Sequence, residues 1–173
     1  MFLDPHDFSF LARAQSAWPA LKAEYEKLAH LSRSLPVPLH DDAWDVILVH
    51  LWGSPLANAP VALEATDDPK RRRVAYSMLR AGGVIRPHSD DCNCIIAHLT
   101  LIPSPDTAIR VGSEVREFVP GEFLVFDERN EHEVWNRGDK TRVTLLFGFD
   151  PENRPVGESE QAISSHFKKW WNE

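Results

Sequence analysis

The segment from Ile85 to Leu99, IRPHSDDCNCIIAHL, contains six side chains that can bind a metal or transfer a proton: two histidines, two aspartates and two cysteines. Apolar strand formers flank the cluster, which indicates a loop between strands rather than a solvated tail. His88 and Asp90 are two residues apart, and residues at this spacing on an extended chain project from the same face. The pair can therefore approach a single ion.

A metal site at this position needs a further ligand from another strand, and His132 has a suitable context. The segment PGEFLVFDERNEHEVWN reads as strand, turn and strand, with His132 at the start of the second strand. Two histidines and one carboxylate leave about half of an octahedral coordination sphere open, as in the non-haem Fe(II) oxygenases. Zinc or manganese in a cupin-like site would accept the same ligands, and an H-x-D pair can also be an exposed turn.

Arg142 distinguishes these possibilities, because it offers a binding group for a cosubstrate. It follows His132 by ten residues and shares a strand face with Thr144. An arginine directed into a barrel is unfavourable unless a carboxylate pairs with it. 2-Oxoglutarate has such a carboxylate, which a guanidinium binds through two hydrogen bonds. The alternatives are that Arg142 faces outward or pairs with Asp127.

The elements that would position these residues are mostly strands. Apolar residues at spacings of three and four predict a helix between Phe8 and Leu28, and WDVILVHLW at 44–52 predicts a strand. Residues 53–70, with their prolines, are expected to form a loop. Short strands follow from Arg71 onward, separated by glycine and proline, and predict a sandwich or barrel. The eight strand segments are RVAYSMLR, VIRPH, IIAHLTLI, AIRVG, VREFV, EFLVFD, HEVWN and TRVTLLFGF.

With 173 residues, the chain is expected to form one domain. It would comprise a helical flank at 1–40, a mainly β core at 44–150 and a C-terminal helix at 157–172. The net charge of −7 argues against nonspecific nucleic-acid binding. The basic run Arg71–Arg73 is expected to be a solvated strand edge.

The sequence also predicts a cytoplasmic protein. It has neither the roughly 20 consecutive apolar residues of a membrane anchor nor an N-terminal secretory signal. Cys92 and Cys94 are the only cysteines. They are too close in the chain for ordinary disulfide geometry, so two free thiols are expected. We expect both to be packing residues, since thiolate ligands would favour zinc.

Three segments resemble the aspartyl/asparaginyl β-hydroxylase family of 2-oxoglutarate oxygenases: SMLRAGGVIRPHSDDCNC with the following AHLTL, PGEFLVFDERNEHEVWN, and TRVTLLFGF. The resemblance covers roughly Val74 to Asp150. It implies a double-stranded β-helix, a jelly-roll and cupin-like fold. It also implies Fe(II), 2-oxoglutarate and O2, used to hydroxylate a C–H bond of an amino acid, a peptide or another small molecule.

The resemblance assigns roles to individual residues. His88 and His132 match the two iron-binding histidines of the family, and Arg142 matches the arginine that binds the distal carboxylate of 2-oxoglutarate. Ser77 and His98 match residues that contact the same cosubstrate. The pattern of residues alone leaves both open, since Ser77 could be satisfied by backbone and His98 could be an ordinary core histidine.

The sequence departs from the family pattern in two places. Animal members have glycine where Asp90 stands, so a full triad is expected here, unless Asp90 turns away and Asp91 or water takes its place. Animal members also bind an acidic substrate through arginines in the stretch after the first metal histidine. In this chain the same stretch reads Ile-Ile-Ala at 95–97. A more apolar substrate pocket is therefore expected, with Arg86 either a substitute cation or a solvent-facing residue.

Two other functions fit the same residues. One is a cupin-like metalloenzyme that does not use 2-oxoglutarate, for which Arg142 would have no purpose. The other is a non-catalytic binding module on the same barrel.

Overall fold

The structure is a computed structural model that describes residues 1–173. It consists of twelve strands and four α-helices. The strands are β1 (Phe2–Leu3), β2 (Arg33–Ser34), β3 (Trp44–Leu51), β4 (Ser54–Pro55), β5 (Arg71–Leu79), β6 (Val84–His88), β7 (Ile95–Ile102), β8 (Thr107–Val111), β9 (Glu114–Glu117), β10 (Phe123–Asp127), β11 (His132–Asn136) and β12 (Arg142–Phe149). The helices are α1 (Leu11–Ser16), α2 (Trp18–Leu28), α3 (Pro60–Ala65) and α4 (Glu158–Asn172), with 3-10 turns at Pro5–Asp7 and Ala29–Leu31.

The strands form two antiparallel sheets, as the predicted double-stranded β-helix requires. The larger sheet has the order β1-β10-β7-β12-β5-β3-β2, with β4 paired to β3, and the smaller sheet has the order β6-β11-β8-β9. Neighbours in each sheet are mostly distant in sequence, which is the pattern of a jelly roll. The predicted fold class, mainly β with helices at both ends, is confirmed.

Side chains alternate along the strands between two regions: a core under the N-terminal helices and the space between the two sheets. On β12, Leu145 and Phe147 belong to the cluster that packs under the N-terminal helices. Arg142 and Thr144 have the opposite parity and point between the sheets, because strand residues two apart share a face. The sequence therefore dictates which β12 side chains can reach a site inside the barrel.

The helical flank packs on the outer face of the larger sheet. The predicted first helix is present as two helices, α1 and α2, that meet at Ala17, and the 1–40 region also contains the short strands β1 and β2. Prediction of a loop at 53–70 was wrong, because α3 lies within it. This helix is too short for a periodic signal, and the buried Glu24 carboxylate stabilises it by accepting the amide N–H groups of Val61 and Ala62.

The basic run Arg71–Arg73 is not the solvated edge that its charge suggested. It begins β5, which pairs with β12 on one side and β3 on the other, so the run lies inside the sheet. Arg72 is buried and donates to the carbonyl oxygen of Arg154, with Asp150 also close by. Arg73 points into the barrel. Pairing with distant segments therefore overrides the usual solvation of a short charged run.

Helix α4 occupies the segment for which a C-terminal helix was predicted; it contacts β3 and contributes residues to the wall of the interior cavity. Phe167 and Trp171 pack against the core residues of β3. None of the four helices combines the length and the apolar character that crossing a membrane requires.

Candidate metal and cosubstrate site

Two imidazoles meet at the edge of the barrel interior. His88 is the last residue of β6 and His132 is the first residue of β11, and these strands pair so that the two histidines lie opposite each other. Their ring centroids are 4.2 Å apart. The Phe126 ring, 4.7 Å from that of His132, covers the inner side of the pair. Strand register thus unites two histidines that are 44 residues apart in the chain.

Both histidines present the same ring nitrogen to the cavity. His88 Nδ1 lies 2.7 Å from the carbonyl oxygen of Arg86, and His132 Nδ1 lies 2.9 Å from that of Asn130. A carbonyl oxygen only accepts, so each Nδ1 carries a proton and each Nε2 has a free lone pair. Burial also lowers the pKa of His132 to about 4, which keeps this ring neutral at pH 7. The pair fits a divalent metal ion.

Asp90 lines the same cavity but does not close on the two imidazoles. Its Oδ1 accepts the backbone N–H of Cys92 at 3.2 Å, and its side chain remains exposed. The one group of three potential ligands whose donor atoms all lie within 4.8 Å of each other is a different one, formed by Cys92, Cys94 and Glu160. Ligation by Asp90 therefore stays a prediction.

Arg142 is the most deeply buried charged residue of the molecule, with 0% exposure. Its Nη1 donates to Thr144 Oγ1 at 2.9 Å, and its guanidinium lies 4.7 Å from the centre of the Phe118 ring. Nε and Nη2 have no partner. Asp127, the alternative partner, instead binds Arg129. Burial without a counter-ion lowers the pKa of Arg142 to about 9.

The protein therefore supplies no counter-ion for the Arg142 guanidinium, and a ligand would have to provide one. The two unpaired donors of the guanidinium lie beside the same cavity as the histidines. Buried polar groups without partners are rare, and a buried cation without one is strongly unfavourable. A carboxylate would satisfy both donors at once.

Ser77 lies next to Arg142, because it pairs with Thr144 across β5 and β12. Its Oγ accepts the indole N–H of Trp44 at 2.9 Å, so its own proton is available to a ligand. Trp44 was not among the predicted site residues. Only the pairing of β3 with β5 reveals that this indole orients Ser77.

His98 connects the arginine to the histidine pair. Its Nδ1 lies 3.0 Å from Thr144 Oγ1, the same hydroxyl that accepts from Arg142. The ring stacks on Phe126 with an interplanar angle of 10°. Burial, followed by the charge of Arg142, places the pKa of His98 well below its ordinary value. His98 is therefore neutral and held in one orientation, as a satisfied core histidine also would be, and its contact with the cosubstrate stays a prediction.

The cavity between these groups has a volume of about 410 Å³, and 18 of its 27 lining residues are hydrophobic. The expected apolar character of the pocket agrees with this lining, to which Ile96 contributes. Six of the residues that the sequence singled out line the cavity: Ser77, His88, Asp90, His98, His132 and Arg142. Arg86 does not. It is exposed and pairs with Asp41 on the surface, so the alternative that it faces solvent is the one observed.

Three cavity residues were missed or underestimated. Arg73 pairs with Glu128, and the Cys92 thiol donates to Glu128 Oε1 at 2.6 Å. Cys94 packs in the core between the sheets and Cys92 packs against the same core, as expected, while the hydrogen bond of Cys92 to Glu128 was not foreseen. A signal was available for Arg73, because it shares the parity of Ser77 on β5.

Comparison with known proteins identifies relatives over most of this chain. A family model described as aspartyl/asparaginyl beta-hydroxylase matches residues 15–151. The ornithine lipid ester-linked acyl 2-hydroxylase of Rhizobium tropici is 28% identical over 165 residues, which cover 84% of this chain and 59% of that protein. The aspartyl/asparaginyl beta-hydroxylase of Mus musculus is 36% identical over 91 residues, which cover 50% of this chain and 12% of that protein.

A solved structure supports the fold independently. The prolyl-4-hydroxylase of Pseudomonas putida superposes with a TM-score of 0.55 at 16% identity, covering 79% of this chain and 86% of that one. The chain spans less than two thirds of the length of the two curated relatives. The family match itself extends over both imidazoles, the buried arginine and nearly the whole barrel. This chain belongs to the aspartyl/asparaginyl beta-hydroxylase family.

Proposed function

We propose that the protein is a hydroxylase that depends on Fe(II) and 2-oxoglutarate. The observation that carries the proposal is the buried Arg142, whose two unpaired donors lie beside the cavity that the His88 and His132 rings also line. A metal site alone would not require this cation. A dicarboxylate that reaches from the metal to the guanidinium gives both features a purpose.

The chain's own residues would divide the work as follows. His88 and His132 would hold the iron through Nε2, and the carbonyl oxygens bound to their Nδ1 atoms fix the ring orientations. Asp90 is the proposed third ligand; its Oδ1 accepts the Cys92 amide, which leaves the second carboxylate oxygen for the iron. The bound iron would supply O2 activation, coupled to the oxidation of 2-oxoglutarate to succinate and CO2.

Arg142 and Ser77 would bind the distal carboxylate of 2-oxoglutarate, and Trp44 holds Ser77 in position for this contact. Thr144 links Arg142 to His98, so that the arginine and a neutral imidazole share one hydroxyl. Phe118 and Phe126 exclude water from this end of the cavity. The exclusion strengthens every electrostatic contact made there.

The substrate would be an amino acid, a peptide or another small molecule with an unactivated C–H bond. The names of the relatives describe an acyl chain in one case and aspartyl or asparaginyl residues in the other. The predominantly hydrophobic lining of the cavity favours an apolar group near the metal. A hydroxylated carbon within an apolar chain is consistent with both the lining and the Rhizobium relative.

Succinate formation tests the proposal. The purified protein is incubated with Fe(II), ascorbate and 2-oxoglutarate, and succinate is measured with and without O2. We expect slow O2-dependent formation even without substrate, its loss in His132→Ala and Arg142→Met, and unchanged formation in Arg86→Met. No succinate above the metal-free background would support a metalloenzyme without 2-oxoglutarate or a binding module.

A further inference from the structure

A second polar cluster lines the cavity, formed by Arg73 on β5, Glu128 after β10 and Cys92 after β6. Arg73 Nη2 donates to Glu128 Oε1, and the Cys92 thiol donates to the same oxygen. The Glu128 side chain is 7% exposed and that of Arg73 is 21% exposed. A buried ion pair is seldom more stable than apolar residues of the same size. Its presence beside the candidate site therefore indicates a purpose other than stability.

The fold makes room for Arg73 specifically. Gly148 is its cross-strand partner on β12, and a Cβ atom there would lie 2.6 Å from Arg73 Cγ and 2.9 Å from Nε. The arginine side chain therefore passes across bare backbone to reach the cavity. The Trp52 ring lies 5.8 Å from the guanidinium carbon. Glycine, indole and carboxylate together hold the guanidinium in one place.

The guanidinium has donors that the protein does not use. Its hydrogen bonds to Glu128 and Cys92 both come from Nη2, and Nε is buried without a partner. Only one of the two oxygens of Glu128 is occupied. Glu128 occupies one amino group of Arg73, and the remaining N–H groups can donate to a second oxyanion. Nε lies against the bare backbone at Gly148, so Nη1, which makes no hydrogen bond to the protein, is the donor left for a ligand.

This cluster is connected to the proposed metal site. The carbonyl oxygen of Glu128 accepts the Asp90 amide at 3.0 Å, and Glu128 precedes His132 by four residues. Arg73, Glu128, His88 and His132 all line the same cavity. A ligand held by Arg73 would therefore lie close to the metal.

Most of the rest of this end of the cavity is apolar. Its wall includes Val46, Leu48 and Leu51 on β3 and Ile163 and Phe167 on α4. The polar exception is Glu160 on α4, whose Oε2 accepts the Gly157 amide and whose carboxylate lies within 4.8 Å of the Cys92 sulfur. The structure thus combines one cation having unused donors with an extended hydrophobic surface.

We propose that Arg73 binds a carboxylate group of the substrate, that the remainder of this substrate is apolar, and that Glu128 positions the guanidinium. Arg73 would then determine specificity at a place distinct from Arg142, which is reserved for the cosubstrate. The proposal rests on the proposed function for the reaction that follows, but the binding step can be measured without it.

Octanoate and octanamide are suitable probes, because they share a chain and differ in the charge of the head group. Binding is measured by calorimetry without oxygen, in the presence of Fe(II) and saturating 2-oxoglutarate so that Arg142 is occupied. We expect octanoate to bind at least ~10-fold more tightly than octanamide. Arg73→Gln should remove this preference and leave octanamide binding unchanged, whereas Arg86→Gln, outside the cavity, should change neither.

Equal binding of the two probes would overturn the proposal, and so would an equal loss of both in Arg73→Gln. If that variant does not fold, Arg73→Lys keeps the charge and should retain a reduced preference for octanoate. A preference for octanoate without any succinate formation would refute the hydroxylase and leave the carboxylate site standing. Succinate formation without a preference for octanoate would refute the carboxylate site and leave the hydroxylase standing.

Discussion

Arg142 is expected to destabilise the ligand-free protein while making cosubstrate binding possible, and Arg142→Met separates these two effects. Methionine preserves much of the length of the side chain and removes its charge. Arg142 is completely buried, and the protein offers it only one hydroxyl and one aromatic ring. Removal of the charge should therefore stabilise the fold, in contrast to most substitutions of buried residues.

The magnitude follows from the burial of the charge. Burial lowers the pKa of Arg142 to about 9 from an ordinary value near 12.5, which corresponds to a destabilisation of about 4–5 kcal/mol. Loss of the Thr144 hydrogen bond offsets about 1 kcal/mol. Loss of the contact with Phe118 offsets about 1–2 kcal/mol. We expect a net stabilisation of about 2 kcal/mol, or roughly 4–8 °C in Tm for a chain of this length.

The same substitution should weaken 2-oxoglutarate binding. A carboxylate held by two charged hydrogen bonds contributes roughly 2–4 kcal/mol, so the affinity should fall about 30- to 1000-fold. Thermal unfolding and calorimetric titration with 2-oxoglutarate measure the two effects, with Arg86→Met as the surface control. A variant that is less stable than the unsubstituted protein, or that binds 2-oxoglutarate equally well, would refute this reasoning.

Three further predictions concern other buried groups. His132 should contribute about 2 kcal/mol to the stability that the metal-free protein loses as the pH falls from 6.5 to 4.5, because the unfolded chain protonates this residue in that range while the folded protein, with a pKa near 4, does not. The buried His98 adds a loss of the same sign, so urea unfolding of His132→Gln should show a loss smaller by the His132 share. Gly148→Ala should displace Arg73, lower stability by about 1–3 kcal/mol and abolish the preference for octanoate. Gly157→Ala, whose Cβ would meet only Glu160 Oε2 at 3.8 Å, should keep that preference. Glu24→Gln should lower the free energy of unfolding in urea by about 2–4 kcal/mol, because the carboxylate accepts three buried or half-buried hydrogen bonds. A smaller decrease would contradict the role of Glu24 in stabilising α3.

Alternation and spacing predicted much of the barrel and its interior. The parity of Arg142 with Thr144 on β12 put the two side chains on one face but left open whether that face is the inner one, and the turn before His132 placed this imidazole at a strand start. These features depend on neighbours along the chain, which the sequence displays directly. The predicted encounter of His88 with His132 required strand register as well, and the structure provides it.

Features that depend on distant partners were missed. Helix α3 forms in a segment predicted to be a loop, because the Glu24 carboxylate from α2 accepts its first amides. Arg73 faces the cavity through its pairing opposite Gly148, and its counter-ion Glu128 is 55 residues away. A local sequence pattern does not predict which distant residues will become such partners. The orientation of Asp90 depends on the conformation of its loop and is likewise not encoded in its spacing from His88.

A crystal structure with Fe(II) and 2-oxoglutarate, grown without oxygen, tests the central claim most directly. We predict iron on Nε2 of His88 and His132, with the distal carboxylate of 2-oxoglutarate on Arg142 and Ser77. The same map would report whether Asp90 joins the iron. Iron bound instead by Cys92, Cys94 and Glu160, or 2-oxoglutarate bound away from Arg142, would contradict the account.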